Sequence, residues 1–249
     1  MGSNLTFERM TQDAEGEYFA YCDQDDIWLP EKLEELEKAQ EESGALLVCS
    51  DMYIIDGEGR QTADSITKIR RHHIFRSGDD LTGTLWYSNF ASGCALLVRS
   101  GVAKEAVPFN PHMYYDHYIT LYAANKGYVQ SLERPLIRHR EHGENQSSVM
   151  QGVVDRESYG RIRIDEEVEA VRWLAAHFPA DEGLKRTLED GLKWMEARQK
   201  YFRGDRKQAG AVWEQRRFAP MASLFELMMP YLPDFLFKLA IWASAHNYI

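Results

Sequence analysis

The chain opens with short apolar runs separated by polar helical stretches. Residues 17–22 (EYFAYC) read as a buried strand that stops abruptly in Asp23-Gln24-Asp25-Asp26. Pro30 then stands where a helix takes its first residue, and Leu33, Leu36 and Ala39 keep one apolar stripe among Glu and Lys as far as Gly44. Residues 45–50 (ALLVCS) and 52–55 (MYII) predict a second strand, closed by a turn at Asp56-Gly57-Glu58-Gly59. Strand, helix and strand in that order predict parallel pairing within an α/β sheet.

Residues 61–77 are polar and rich in Arg and His, and they read as a long loop. Arg70, Arg71, His72, His73 and Arg76 fit a solvated loop there more readily than an anion-attracting one. Residues 93–99 form another predicted strand, residues 116–125 a helix closed by Gly127, and Leu136-Ile137 a short extended segment after Pro135. From about Gly152 the strand signals vanish. Helices are expected over residues 155–178, 182–203 and 207–218, punctuated by Pro179, Gly204 and Pro220, before an apolar tail. The expected division is therefore an α/β region over residues 1–150 and a helical region over 151–249.

Composition narrows the classes. The 249 residues carry 29 Lys and Arg against 39 Asp and Glu, and this net charge of −10 argues against a nucleic-acid binder working through a basic surface. Cys22, Cys49 and Cys94 show no CxxC spacing and lie in apolar surroundings, which predicts buried, reduced thiols. Met1 to Leu5 offer no basic start followed by an apolar run, so a cytoplasmic location is expected.

Three carboxylates within four residues repel one another and need solvent, a cation or basic partners. At the carboxyl end of a sheet strand they stand where open α/β sheets bind ligands, and they suit a hard divalent cation shared with a phosphate group. The plain alternative is an acidic loop in which Asp26 helps to cap the following helix.

The context Tyr21-Cys-Asp-Gln-Asp-Asp-Ile-Trp-Leu-Pro-Glu-Lys-Leu33 resembles the DxD region of family 2 glycosyltransferases, nearest to their rhamnosyltransferase-like branch. Asn4-Leu-Thr-Phe7 and Ala14-Glu-Gly-Glu-Tyr18 resemble the segment before that motif. Asn89-Phe-Ala-Ser-Gly-Cys94 and Pro135-Leu-Ile-Arg-His-Arg-Glu-His-Gly-Glu-Asn145 resemble two later blocks. The resemblance covers residues 4–148 and implies a GT-A-like α/β core that lacks the family's usual first strand–helix–strand segment, followed here by an α-helical region. It implies transfer of a sugar, with inversion, from a nucleotide-diphospho-sugar donor to a saccharide or lipid-linked acceptor in cell-surface polysaccharide synthesis.

On that reading Asp23 contacts the nucleotide's sugar, and Asp25 holds Mn²⁺ or Mg²⁺ on the diphosphate with Asp26 and His142 as further ligands. Arg140 and His142 face the diphosphate, and Gly93 allows close approach of a sugar. Asp116 is the base that deprotonates the acceptor, although a plain helix cap is the competing reading and Tyr115 and His117 depart from the family pattern. Trp86 and Tyr87 suit either an acceptor platform or the core. The tail from Met221 to Trp242 suits packing on the catalytic region or in a homodimer better than a peripheral membrane seat. A non-catalytic remnant acting as a binding protein is the alternative to the transferase; a metal-dependent phosphoesterase and a glycosidase fit the Gln24-to-Pro30 context less well.

Overall fold

The structure, a computed structural model, describes residues 2–70, 73–141 and 152–245. The chain divides into two compact units, Met1–Asn145 and Gln146–Ile249, the first α/β and the second helical among the described residues.

In chain order the first unit holds helix α1 (Ser3–Asp13), strands β1 (Tyr18–Ala20) and β2 (Ile27–Trp28), α2 (Lys32–Ser43), β3 (Leu47–Ile55), β4 (Gln61–Ala63), α3 (Ile66–Ile69) and α4 (Thr82–Leu85). A 3₁₀ turn (Gly93–Ala95), β5 (Leu96–Arg99), α5 (Ser100–Glu105), α6 (Tyr115–Lys126) and β6 (Val129–Arg140) complete it. The sheet order is β1-β5-β3-β6-β2, with β4 also paired to β3. β3 is buried along nearly all its length, as its almost unbroken apolar run requires of a central strand. One face packs Val48, Leu97 and Leu136 under Leu36 of α2. The other packs Met52, Ile54 and Ile137 against Ile66, Cys94 and Ala95.

The strand–helix–strand reading needs one correction. β1 and β3 do not pair, because β5 lies between them and runs antiparallel to both. The parallel pair is β3 with β6, whose register slips where Asp51 comes opposite Pro135. Proline has no amide to give the ladder, so the strand bulges there and continues, and the short extended segment expected after Pro135 is the end of a twelve-residue strand. In α2 the buried stripe is Lys32, Leu36 and Gln40, while Leu33 is exposed; Gly44 ends the helix with φ of 70°.

Two further expectations change. Residues 61–77 are not a plain loop: β4 and α3 lie within them. α3 is fixed at its start by the Ser65 hydroxyl, which accepts from Thr67 N at 3.1 Å, and by the buried Asp51 carboxylate, which accepts from Ile66 N at 3.1 Å. The N-terminal stretch, given no element from its pattern, is helix α1. Of the cysteines, Cys49 and Cys94 are buried free thiols but Cys22 is exposed, because β1 ends before it.

The second unit runs through α7 (Arg156–Tyr159), a π-helical stretch (Gly160–Asp165), α8 (Glu166–His177), α9 (Glu182–Phe202), α10 (Ala209–Glu214), α11 (Pro220–Met228) and α12 (Asp234–Ala245). Its interior is organised by an ion. Arg198 of α9 is 2% exposed; its Nε and Nη2 donate to the two oxygens of Glu226 at 2.7 and 2.5 Å, and Nη1 donates to Glu167 at 3.1 Å. Tyr159 donates to Glu226 at 2.9 Å, and the Trp194 ring lies 4.5 Å from the guanidinium. On the tail, Phe235, Leu239 and Trp242 are exposed while Phe237 and Ile241 are buried, and no helix among the described residues is long and apolar enough to cross a membrane.

Removing one partner of a buried, hydrogen-bonded ion pair strands the other charge away from water. Glu226→Ala is expected to destabilise the protein by about 3 kcal/mol, at the lower end of the usual range because Glu167 still faces Arg198. Urea unfolding of the variant against the parent chain measures it; an unchanged midpoint would show that the network carries no net stability.

Candidate active site

The acidic loop between β1 and β2 is held by its third carboxylate. The Asp26 side chain has no exposed surface. The His139 ring donates from Nδ1 to Asp26 Oδ1 at 2.9 Å, and the Arg140 amide donates to the same oxygen at 3.0 Å. Burial pushes the Asp26 carboxyl up, but the hydrogen bond and charge of His139 outweigh it and hold it below the usual carboxylate range. His139 is correspondingly raised: burial disfavours its charged form, and Asp26 more than compensates. Since β2 pairs with β6 through Ile27 opposite Arg138, the loop is seated directly on the end of β6.

Arg140 completes the seat. Its Nε donates to the Asp25 carbonyl at 3.1 Å, and its Nη1 donates to the carbonyls of Asp56 and Gly57, each at 2.9 Å. These bonds tie the acidic loop to the turn after β3, so Arg140 clamps two loops through their backbones. Asp23 and Asp25 are half-buried beside it. Burial raises the Asp23 carboxyl, and repulsion from Asp26 and Asp25 adds to the rise, against the opposing charges of His139 and Lys32.

Asp116, on the first turn of α6, belongs to the same electrostatic neighbourhood. Its Oδ2 accepts from the Gly93 amide at 3.0 Å and its Oδ1 from the His117 amide at 2.6 Å. Burial raises its carboxyl to about 6 despite those two bonds, and the nearby charge of Asp23 pushes the same way while Arg70 opposes it. The helix begins beside Tyr114, whose side chain makes no capping bond. His117 is buried with its Nε2–H donating to the Leu85 carbonyl at 2.6 Å, and burial lowers it to about 4, so it is neutral and fixes α4 rather than orienting Asp116.

α1 holds the loop that leads into α6. Asn4 accepts from Tyr115 N at 3.0 Å and donates to the Met113 carbonyl at 2.6 Å, while Glu8 accepts from Phe109 N at 2.7 Å. The Phe7 ring stacks on Tyr115 with centroids 3.9 Å apart. Gly93 is fixed by the same tyrosine: a Cβ there would lie 2.5 Å from Tyr115 Cζ and closer still to its hydroxyl. The space expected for a sugar at Gly93 is filled by the Tyr115 ring. Trp86 is 1% exposed and belongs to the core.

Among the candidate residues, Asp23, Asp25, Asp26, Gly93, Asp116 and Arg140 are thus brought together, whereas His142 lies outside the described residues. Two residues that support the site from behind were not singled out from sequence. His139 stands one position before the arginine that was, and alternation along β6 turns it inward. Lys32 follows Pro30 and Glu31 among surface charges, yet it is 0% exposed. Asp26, Cys94 and His139 place one ligand atom each within 4.8 Å of one another. That mixed carboxylate, thiol and imidazole set suits a softer cation than Mg²⁺, and the Asp26–His139 hydrogen bond already occupies it.

Residues 7–104 match the family model for glycosyl transferase family 2. An uncharacterized glycosyltransferase of Nostoc sp. (strain PCC 7120) is 28% identical over 141 residues, which is 53% of this chain and 42% of that relative. The match therefore spans less than half of the relative's length. Both similarities support a family 2 glycosyltransferase; the acidic loop, Lys32 and Gly93 lie inside the segment that the family model matches, and Asp116, His139 and Arg140 lie beyond that segment.

Two outcomes follow from this geometry. Gly93→Ala is expected to cost about 1–3 kcal/mol through overpacking against Tyr115, read as a lowered thermal midpoint; an unchanged midpoint would mean that Tyr115 moves freely. His139 gains its partner on folding and its pKa rises above the ordinary 6.5. The stability it contributes is then fully present below pH 6.5 and is lost as pH rises through the folded value. His139→Gln should accordingly cost most stability in mildly acidic solution, with the gap to the parent chain narrowing toward alkaline pH. A gap independent of pH would refute the charged pair.

Proposed function

We propose that the chain is an inverting family 2 glycosyltransferase that moves a sugar, rhamnose on the nearest resemblance, from a nucleotide-diphospho-sugar to a saccharide or lipid-linked acceptor in cell-surface polysaccharide synthesis. The observation that carries this reading is Asp116, a carboxyl raised to about 6 and held by the Gly93 amide within the field of the Asp23-Asp25-Asp26 loop. The family match over residues 7–104 supports it independently.

In this reading the acidic loop receives the donor. Asp23 takes the nucleotide's sugar, and its raised pKa favours a neighbour that supplies positive charge or a hydroxyl donor. A Mn²⁺ or Mg²⁺ ion held by Asp25 would neutralise the charge that builds on the departing diphosphate. Asp26 and Arg140 serve this arrangement from behind by holding the backbone of the loop. The acceptor hydroxyl gives its proton to Asp116 as its oxygen attacks the anomeric carbon, the bond from that carbon to the diphosphate oxygen breaks, and the configuration inverts. A base of this pKa is mostly ionised at neutral pH and still basic enough to pull the proton. Half-burial keeps it from being levelled by water.

Calorimetric titration of the chain with UDP, dTDP and GDP, each with and without Mn²⁺, tests the donor site. Cation-dependent binding of one nucleotide is expected, and Asp25→Ala should abolish it; no binding by a folded chain would leave a non-catalytic remnant as the better reading. Asp116→Asn should keep donor binding while transfer falls by roughly 10²–10⁴-fold. For the parent chain, the rate should fall tenfold per pH unit on the acid side of about pH 6, as the base becomes protonated. A flat profile through that region, or transfer retained by the Asn variant, would remove Asp116 from the role.

A further inference from the structure

Lys32 is the first residue of α2 and is fully covered, an unusual place for the most readily hydrated of side chains. Its ammonium lies 3.6 Å from the centroid of the Trp28 ring and donates to the Cys94 carbonyl at 2.6 Å. Burial lowers its pKa to about 8, against the opposing fields of Cys94, Cys22, Asp26 and Asp23. A lysine whose only task was to neutralise those acids would gain by touching a carboxylate, whereas this one spends its bond on a main-chain oxygen 62 residues away in sequence.

The identity of that oxygen explains the cost. Cys94 is the middle residue of the Gly93–Ala95 turn, and the amide of Gly93 in that turn is the donor to Asp116. The turn carries the Asp116 contact on one side and the Lys32 contact on the other. Lys32 itself is six residues beyond Asp26 and four beyond the end of β2, whose Trp28 forms its aromatic wall.

We infer that Lys32 is a positioning residue for the transfer step: through the Cys94 carbonyl it fixes the turn that presents the Gly93 amide to Asp116, and so couples the acidic donor loop to the base. This rests on the glycosyltransferase reading for the identity of the step, but the mechanical link stands on the geometry alone. Lys32 touches neither donor nor acceptor in this scheme. Its loss should impair transfer without impairing donor binding.

The test uses the full chain with Lys32→Met, which fills the same volume without a charge or a donor, and Lys32→Gln, which restores a donor of shorter reach. Amide hydrogen exchange at Gly93 is measured against amides of the β3–β6 ladder, alongside donor affinity and transfer rate. In Lys32→Met, exchange at Gly93 is expected to quicken at least tenfold with the ladder unchanged. Donor affinity should stay within twofold while the rate falls at least tenfold, and Lys32→Gln should recover part of both effects. Unchanged Gly93 protection overturns the inference, and so does equal loss of protection across the ladder, which would make Lys32 a general core residue. If Lys32→Met does not fold, Lys32→Gln alone is read by the same two criteria. If the parent chain transfers no sugar, the glycosyltransferase reading fails, while the exchange at Gly93 still decides whether Lys32 holds the turn.

Discussion

Asp26 gives up all its solvent to accept hydrogen bonds from the His139 ring and the Arg140 amide, and the acidic loop has its shape because of that exchange. Three neighbouring carboxylates would otherwise splay apart into water. With the third one buried against a raised imidazole, the loop is pinned to the last residues of β6, and the other two carboxylates are left half-buried at a defined place. The sheet topology makes this meeting possible. β6, twelve residues long, pairs parallel to β3, survives the break at Pro135, and delivers His139 and Arg140 beside β2.

The surroundings of Asp116 are built by different means. Asp116 depends on shape more than on charge: a glycine at 93 that leaves room for the Tyr115 ring, a phenylalanine on α1 stacked on that ring, and an asparagine on α1 closing the turn before α6. The desolvation produced by that packing is what lifts the Asp116 carboxyl toward neutrality. A helix at the start of the chain thereby takes part in setting the acidity of a group more than a hundred residues later.

What could be read from sequence and what could not divides along physical lines. The alternation of buried strand and striped helix over residues 17–55 shows in the apolar pattern, and so does the shift to helices after residue 152, because both are local. That Asp116 stands on the first turn of a helix was within reach because a helix start is legible. The position of β5 between β1 and β3 was not, since sheet order is a matter of distant pairing that no window of residues contains. β6 was hidden by its exposed Glu133 and Arg134 and by its internal proline. Lys32 and His139 escaped for a related reason: polarity predicts exposure, and at these two positions the fold overrides it with specific partners.

Arg140 spends three of its hydrogen bonds on peptide oxygens rather than on side chains. Every residue type supplies the same carbonyl, so the clamp does not read the identity of positions 25, 56 or 57. Descendants of this sequence are free to change the chemistry displayed on those loops, the Asp25 carboxylate included, without losing the scaffold that displays it. Changes of side chain on the two loops can therefore proceed in single steps across a frame that stays folded, whereas loss of the arginine would release both loops at once.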